Sequence, residues 1–271
     1  MAFEWVRVPH PRTEPGPAHA KSLIRLRIRL FCRIVSEIGK TTESFLAVTA
    51  DVVGSRQSDD RPALQARLLE ATAAVSAARR RDLAADVQLT AGDELQALLP
   101  KPPAAVALLQ SLSDALHPVQ LRFGLGWGPL TTPLPARRQA RRLPLLDGPC
   151  FHRARAALAA AADRGAWATA LGFDPIGAPL DALLELVGHL RQGWTEKQGL
   201  YAAAARERQQ KEVAAAFEVS PSVVSESLKA ANFELVRRGE DGLVALLTHF
   251  GNLTESATDS PEAPNPNPRR R

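Results

Sequence analysis

Cysteine and aromatic residues are both scarce in this sequence of 271 residues, which has two cysteines and 5% aromatics. Cys32 and Cys150 can form at most one disulfide, and neither has a neighbour at the spacing of a metal ligand. Disulfide scaffolds and zinc ribbons are therefore excluded.

Long apolar runs are lacking as well. The only early candidate, residues 23–35, is interrupted by four arginines, whereas a bilayer-spanning helix needs about 20 apolar residues. The same charges exclude a secretory signal, which requires an uninterrupted apolar centre. We therefore expect a cytoplasmic protein with no membrane partner.

A strong charge of one sign is also missing, because the formal net charge is only +5. Residues 1–44 hold eight Lys and Arg against four acids, so most of the excess lies in this segment. We expect residues 1–44 to be a basic extension, either disordered or upstream of the original start. The proline-rich residues 251–271 are expected to be a disordered tail.

Between these ends, residues 45–175 show alternating strand and helix patterns. The apolar, β-branched run FLAVTADVV at 45–53 predicts a buried strand. The remaining patterns predict the order β-α-β-β-α-β-α-β. Such split βαβ units are typical of a ferredoxin-like antiparallel sheet with helices on one face. Residues 180–250 are helical in pattern, so the predicted class is α+β followed by an all-α domain.

The most specific motif is QKEVAAAFEVSPSVVSESLK at 210–229. Its apolar spacing predicts two short helices joined by a turn, and Ser220 followed by Pro221 is typical of a helix N-terminus. Thr195 and Gln198 form a capping box that opens a supporting helix. This pattern predicts a helix-turn-helix in residues 180–250.

In a helix-turn-helix, the second helix enters the major groove of DNA and the first residues of that helix reach base edges. Five residues are predicted to face outward from it: Ser220, Ser222, Ser225, Glu226 and Lys229. Four more are predicted to contact phosphates: Arg206, Arg208, Gln209 and Lys211. Because such contacts are weak singly, we expect a homodimer.

The competing interpretation is a protein-binding module without nucleic acid. Residues 191–240 carry eight Lys and Arg against seven acids, which is little positive charge for DNA binding. Glu218 also occupies the turn position where glycine is usual.

Carboxylates cluster in the predicted sheet domain. Asp51 closes the first strand, and Asp93 and Glu94 lie in the turn between the next two. If the sheet forms as predicted, these carboxylates meet at one edge, where paired acids suit a Mg²⁺ ion that also holds a nucleotide. The alternative interpretation is that they are ordinary turn and cap residues.

These segments resemble nucleotide cyclases that use two metal-binding aspartates, and the GGDEF diguanylate cyclases. Those enzymes carry an Asn and, four residues later, an Arg on the helix after a Gly-Pro-like turn. The corresponding residues here are His152 and Ala156, and Arg155 is one position away. Without that cation, the resemblance implies little stabilisation of a transition state, so a working enzyme is not the main expectation.

Taken together, six segments between residues 45 and 236 resemble the SatD family of bacterial proteins. The segments are ADVVGSR, TAGDELQALL, LRFGLGWG, DGPCFHRARAAL, WTEKQ and the helix-turn-helix. The resemblance implies a cyclase-like ferredoxin fold joined to a DNA-binding region, and it carries over no catalytic residues.

The expected function is a DNA-binding transcriptional regulator with a non-catalytic, cyclase-like domain for sensing or dimerisation. The sequence establishes no cofactor; the candidate ligand of this domain is a nucleotide with Mg²⁺, at Asp51, Asp93, Glu94 and Arg155. Two alternatives stay open: a nucleotide cyclase or other nucleotide-binding enzyme, and a protein-interaction adaptor.

Overall fold

The computed structural model describes residues 43–55, 60–90 and 92–258. The strands are β1 (Ser44–Val52), β2 (Ala85–Leu89), β3 (Leu95–Leu99), β4 (Leu121–Pro129) and β5 (Ala168–Leu171). The helices are α1 (Arg61–Ala78), α2 (Ala104–Leu116), α3 (Pro149–Arg164), α4 (Gly177–Gln192), α5 (Glu196–Ala205), α6 (Gln210–Ala216), α7 (Pro221–Ala230) and α8 (Phe233–Thr258). Through β5, this order matches the predicted one.

The five strands form one mixed sheet in the order β2-β3-β1-β4-β5. β1 lies at the centre and pairs antiparallel with both β3 and β4. The prediction of an antiparallel sheet is wrong at one edge, where β5 is parallel to β4. The cause is helix α3, which connects these strands as a crossover and returns the chain in its original direction.

Helices cover both faces of the sheet, which corrects the prediction of helices on one face. One face, with Leu46 and Val48 of β1, packs against α1, α2, α4 and α8. The opposite face, with Phe45 and Ala47, packs against the start of α3 and the loop around Leu143. Burial on both sides explains why β1 reads as a continuous apolar run without alternation.

Helix α3 lies unusually close to β4 because three glycines of this strand face it. A Cβ atom on Gly124 would lie 2.1 Å from the carbonyl oxygen of Ala154, and one on Gly126 would lie 2.1 Å from that of Cys150. The Thr169 hydroxyl of β5 donates to the Ala157 carbonyl at 2.6 Å. Strand and helix therefore meet backbone to backbone.

The described residues all belong to one compact unit, because α4 and α8 share the main core with the sheet. Helix α8 continues to Thr258, eight residues into the predicted disordered tail. Residues 1–42 of the predicted extension and residues 259–271 of the tail lie outside the described residues. Of the helices in the described ranges, none has the length and apolar character needed to cross a membrane.

Candidate functional site

Local sequence signals fix the ends of helices α5 and α7. The Thr195 hydroxyl accepts from the Gln198 amide at 3.3 Å, and the Gln198 side chain accepts from the Thr195 amide at 2.9 Å, as the capping-box pattern predicts. The Ser220 hydroxyl accepts from the amide of Val223 at 3.4 Å. Between α6 and α7, Glu218 has a φ of +55°, so a glutamate adopts the left-handed conformation that favours glycine.

Helices α5, α6 and α7 pack around a small core of their own, closed by the start of α8. Its buried members are Tyr201, Ala202, Val213, Ala214, Val224, Leu228 and Phe233. Phe217 and Val223 are instead 37% and 46% exposed. The three helices are thus held by few side chains, and three large apolar side chains, including Leu200 at 39% exposed, remain on their surface.

The outer face of α7 is open to solvent within the described residues. The five predicted base-contact residues are all exposed: Ser220, Ser222, Ser225, Glu226 and Lys229. The hydroxyls of Ser220 and Ser222 lie 2.8 Å apart and are hydrogen bonded. Val223, which is also exposed, adds an apolar side chain to this face that the sequence analysis did not include.

Three of the four predicted phosphate contacts, Arg208, Gln209 and Lys211, are exposed near the start of α6. Arg206 differs because its guanidinium group is already paired with carboxylates of the protein, which corrects its assignment as a phosphate contact. Its Nε lies 2.9 Å from Asp114 Oδ2, and its two terminal nitrogens lie 2.7 and 2.9 Å from the carboxylate of Glu240.

Arg206 belongs to a cluster of two guanidinium groups and two carboxylates, completed by Arg191. Arg191 donates to Asp114 at 2.6 Å and to Glu240 at 2.9 Å. Burial alone would lower the pKa of Arg206, but hydrogen bonds and charges from Glu240 and Asp114 outweigh it and raise that pKa. The cluster joins α2 of the sheet region to α4, to the end of α5 and to α8.

Tryptophan side chains strengthen the same junction. The Arg191 guanidinium lies 4.9 Å from the centre of the Trp194 ring and 5.6 Å from that of Trp167. The Trp194 indole nitrogen donates to the carbonyl oxygen of Ala231, just after α7, at 2.7 Å. A short path of direct contacts therefore links α7 to the ionic cluster.

The predicted carboxylates gather at the end of β1. Asp51 pairs in register with Arg122 of β4, and the guanidinium lies 3.8 Å from its carboxylate. Burial raises the pKa of Asp51, the charge of Arg122 lowers it, and the negative charges of Asp93 and Glu94 raise it further. These influences show that the three carboxylates share one electrostatic environment.

Around Asp51, four buried polar atoms lack hydrogen-bond partners. They are Thr49 Oγ1, Asp51 Oδ1, Gln96 Oε1 and Arg122 Nε. All four side chains lie on the α3 face of the sheet, with Thr49 opposite Gln96 and Asp51 opposite Arg122. Because an unpaired buried polar group costs about 1–3 kcal/mol, this arrangement is a concentrated source of instability.

The sequence analysis found Asp51 but missed Thr49, Gln96 and Arg122. A signal was present, since Thr49 and Asp51 alternate with apolar residues along β1, as residues on one face of a strand do. Arg155, the fourth predicted ligand contact, is exposed on α3. Within the described ranges it makes no hydrogen bond or ion pair with this group.

The arrangement shows no cage of protein side chains for a metal ion within the described ranges. No group of three or more His, Cys, Asp or Glu side chains in the described ranges could hold a metal. The Glu94 carboxylate accepts a hydrogen bond from the side-chain amide nitrogen of Gln96 at 2.8 Å and another from the Thr90 hydroxyl at 3.1 Å. The Glu94 carboxylate is thus already hydrogen bonded within the protein, and the Mg²⁺ site at Asp51, Asp93 and Glu94 stays a prediction.

Comparison with known families decides the relationship that the motifs suggest. The sequence model of the SatD family matches residues 45–247, which span the sheet and most of the helical region. The chain belongs to the SatD family. No curated protein matches this SatD-family chain. The family match covers both the Asp51 group and the α7 surface.

Proposed function

We propose that this SatD-family protein is a DNA-binding transcriptional regulator in the cytoplasm. Helices α6 and α7 would act as a helix-turn-helix supported by α5, and the sheet region would sense a ligand or form a homodimer. The finer fold we propose for β1 to β4 is ferredoxin-like and nucleotide-cyclase-like, which the strand order β2-β3-β1-β4 supports.

The observation that carries this proposal is the exposed outer face of α7. A recognition helix must offer polar side chains near its first turn without cover from its own chain. Ser220, Ser222 and Ser225 satisfy that condition. The exposed Val223 adds a group able to contact a thymine methyl, the apolar feature of the major groove.

The affinity of one such unit for DNA would be modest. Removing the buried Arg191, Arg206 and Glu240 from the count of residues 191–240 leaves six Lys and Arg against six acids. Phosphate contacts from Arg208 and Lys211 would then supply most of the attraction. A homodimer would double these contacts on two half-sites.

The ionic cluster supports a route by which the sheet region could influence α7. A ligand shifts a protein between two arrangements only through different affinity for each. Because Arg191 and Arg206 bond the same two carboxylates, a displacement of α2 would act directly on α5 and α8. The Trp194 contact to Ala231 would pass that displacement to the end of α7.

Two alternatives have weaker support. A nucleotide cyclase of this type would need an Asn at the position of His152 and an Arg at that of Ala156. The imidazole nitrogen Nε2 of His152 instead lies 3.1 Å from the Asp147 carboxylate. Incubation with ATP and GTP followed by mass spectrometry tests this activity. A protein-interaction adaptor is favoured by the balanced charge and by the exposed Phe217.

Cross-linking in cells, followed by immunoprecipitation and sequencing of bound DNA, tests the proposal. We expect discrete enriched sites for the wild type and their loss for a variant with Arg208, Lys211 and Lys229 all changed to Gln. Lys101→Gln is the matched control, because Lys101 is exposed between β3 and α2 and should not contact DNA. Enrichment no greater than in cells lacking the protein would contradict the proposal.

A further inference from the structure

The unpartnered atoms at the end of β1 lie in a defined order across the sheet. Arg122 of β4 offers a donor, its Nε atom, and Asp51 of β1 offers an acceptor, Oδ1. Gln96 of β3, one row deeper beside Thr49, offers a second acceptor, Oε1. Read from β4 to β3, the order is donor, acceptor, acceptor.

The complementary ligand edge must present an acceptor, a donor and a second donor. Among the four common nucleobases, only guanine has this order, through O6, N1–H and the 2-amino group. Cytosine has the opposite order, uracil places its one donor between two acceptors, and adenine has no N1–H. The full chemical class is the 2-amino-4-oxopyrimidine ring, which guanine shares with pterins.

We propose that Arg122, Asp51 and Gln96 form a binding site for a 2-amino-4-oxopyrimidine ring, recognised by hydrogen bonds and without a metal ion. The Thr49 hydroxyl, fully buried beside Gln96, can donate or accept and so completes the pairing. The pairing itself needs no metal ion, because every contact is a hydrogen bond from a side chain to the ring. The nearby Glu94 carboxylate is already hydrogen bonded to the side chains of Gln96 and Thr90.

The burial of these atoms gives binding a conformational consequence. All four are shielded from water where they now lie, whereas the Asp51 and Arg122 side chains are 37% and 18% exposed. The ring would meet the exposed parts first and then pair the inner atoms as the side chains turn toward it. Because the ring binds the arrangement in which these side chains are turned toward it, binding shifts the protein to that arrangement.

This inference depends on the proposed regulatory function only for its biological meaning. Within that function, the ring would be the sensed ligand, and the ionic cluster would carry its effect toward α7. Binding of the ring does not itself require DNA, so the two claims can be tested on the same protein with separate measurements.

The test is isothermal titration of the full chain with guanosine in a buffer containing EDTA. We expect heat of binding with guanosine and none with adenosine or cytidine. Titration with a pterin distinguishes the two sources of the ring, and either one binding supports the site. Absence of binding by both, or equal binding of adenosine, would overturn the proposal. Guanosine binding that appears only after Mg²⁺ replaces EDTA would also overturn it.

Variants locate the site. Asp51→Asn replaces one carboxylate oxygen with a donor and should weaken binding by roughly tenfold or more. Asp93→Asn is the matched control, because it removes the same charge nearby without altering Arg122, Asp51 or Gln96. It should leave the affinity for the ring nearly unchanged. Gln96→Leu removes the unpartnered Oε1 acceptor together with the 2.8 Å hydrogen bond from the Gln96 side chain to Glu94. It should bind weakly, and circular dichroism of the variant shows whether it is folded. An equal loss of affinity in Asp51→Asn and Asp93→Asn would contradict the assignment of Asp51 as a hydrogen-bond partner of the ring.

DNA binding by the same variants separates this proposal from the regulatory one. Asp51→Asn should keep the DNA affinity of the wild type when no ring compound is present. If guanosine and pterin fail to bind while DNA binding persists, the ring site is wrong and the regulator stands. If the ring binds while DNA binding is absent, the regulator is wrong and the ring site stands.

Discussion

Two buried threonines of the sheet differ in one respect, the partner of the hydroxyl. Thr169 is 2% exposed and donates to the Ala157 carbonyl, whereas Thr49 is 0% exposed and its hydroxyl has no partner. A buried hydroxyl stabilises a fold when it is paired and destabilises it when it is not. Thr49 therefore marks a position where stability is lower than packing would allow.

Replacing Thr49 by Val keeps the shape and removes the unpaired hydroxyl. We expect Thr49→Val to raise the free energy of unfolding by about 1–2 kcal/mol, measured by urea denaturation. Thr169→Val is the control and should lower it by about 1 kcal/mol because a hydrogen bond is lost. A decrease in stability for Thr49→Val of the size seen for Thr169→Val would show that the Thr49 hydroxyl is paired.

Sequence reasoning reached the carboxylates of the sheet site but missed Arg122 and the neutral residues. Asp93 and Glu94 follow Gly92 in a recognisable turn, and Asp51 stands near the end of β1, so their type and position drew attention. Thr49 and Gln96 lie within apolar strands, and their importance depends on which residues stand opposite them in register. That register is set by pairing between strands distant in sequence, which a single sequence does not display.

At the scale of elements, the alternating glycines of β4 determine how α3 packs. Gly124, Gly126 and Gly128 place no side chain between the strand and the helix. The small Ala154 and Ala157 of α3 allow the same close approach from the other side. A side chain at the centre of this contact would separate two backbones rather than displace a flexible group.

Gly126→Ala tests this packing. The new Cβ would lie 2.1 Å from the Cys150 carbonyl oxygen and 2.3 Å from the Ala154 amide nitrogen, so we expect stability to fall by about 3 kcal/mol. Gly177→Ala is the control, since nothing lies within 4 Å of its Cβ position, and it should be neutral or slightly stabilising. Thermal unfolding of both variants provides the comparison, and equal melting temperatures would rule out close packing.

The order of elements was predictable because each one carries its own local signal. The sequence pattern predicts a strand at Leu95–Leu99 and a helix at about Ala104–Leu116, and the structure has both elements with these bounds. The parallel edge at β5 and the helix on the second face were not predicted. Both arise from α3 crossing the sheet, and the glycine contacts that permit this crossing join segments distant in sequence, which a single sequence does not display.

At the scale of the whole molecule, one ionic cluster joins the sheet region to the helices that support α7. Glu240 is 3% exposed and accepts hydrogen bonds from both Arg191 and Arg206. Removing one partner from a buried ionic group leaves the other charges without compensation. The cluster therefore makes the two regions depend on each other.

Glu240→Gln should lower the free energy of unfolding by about 3 kcal/mol, because two buried guanidinium groups lose a shared carboxylate. We also expect the helical region to unfold before the sheet, as separate transitions in circular dichroism and tryptophan fluorescence. Arg164→Gln is the control, since its pair with Asp181 is exposed and should contribute less than about 1 kcal/mol. Coincident transitions with unchanged midpoints in Glu240→Gln would contradict the coupling.

The net charge predicts little about DNA binding, and the distribution of charge predicts more. The buried cluster removes Arg191 and Arg206 from the surface, leaving Arg208, Lys211 and Lys229 exposed beside α6 and α7. Because a contact between a cation and a phosphate releases counterions, its presence appears as a salt dependence of the affinity.

The central claim is that α6 and α7 bind DNA. Its most direct test is the slope of log affinity for a DNA duplex against log salt concentration, measured by fluorescence anisotropy. Lys211→Gln should reduce the magnitude of the slope by about 0.9, the value expected for the loss of one phosphate contact. Lys101→Gln should leave the slope of the wild type unchanged. No salt-dependent binding by the wild type, or the same slope for the wild type and both variants, would contradict the assignment of α6 and α7 to DNA.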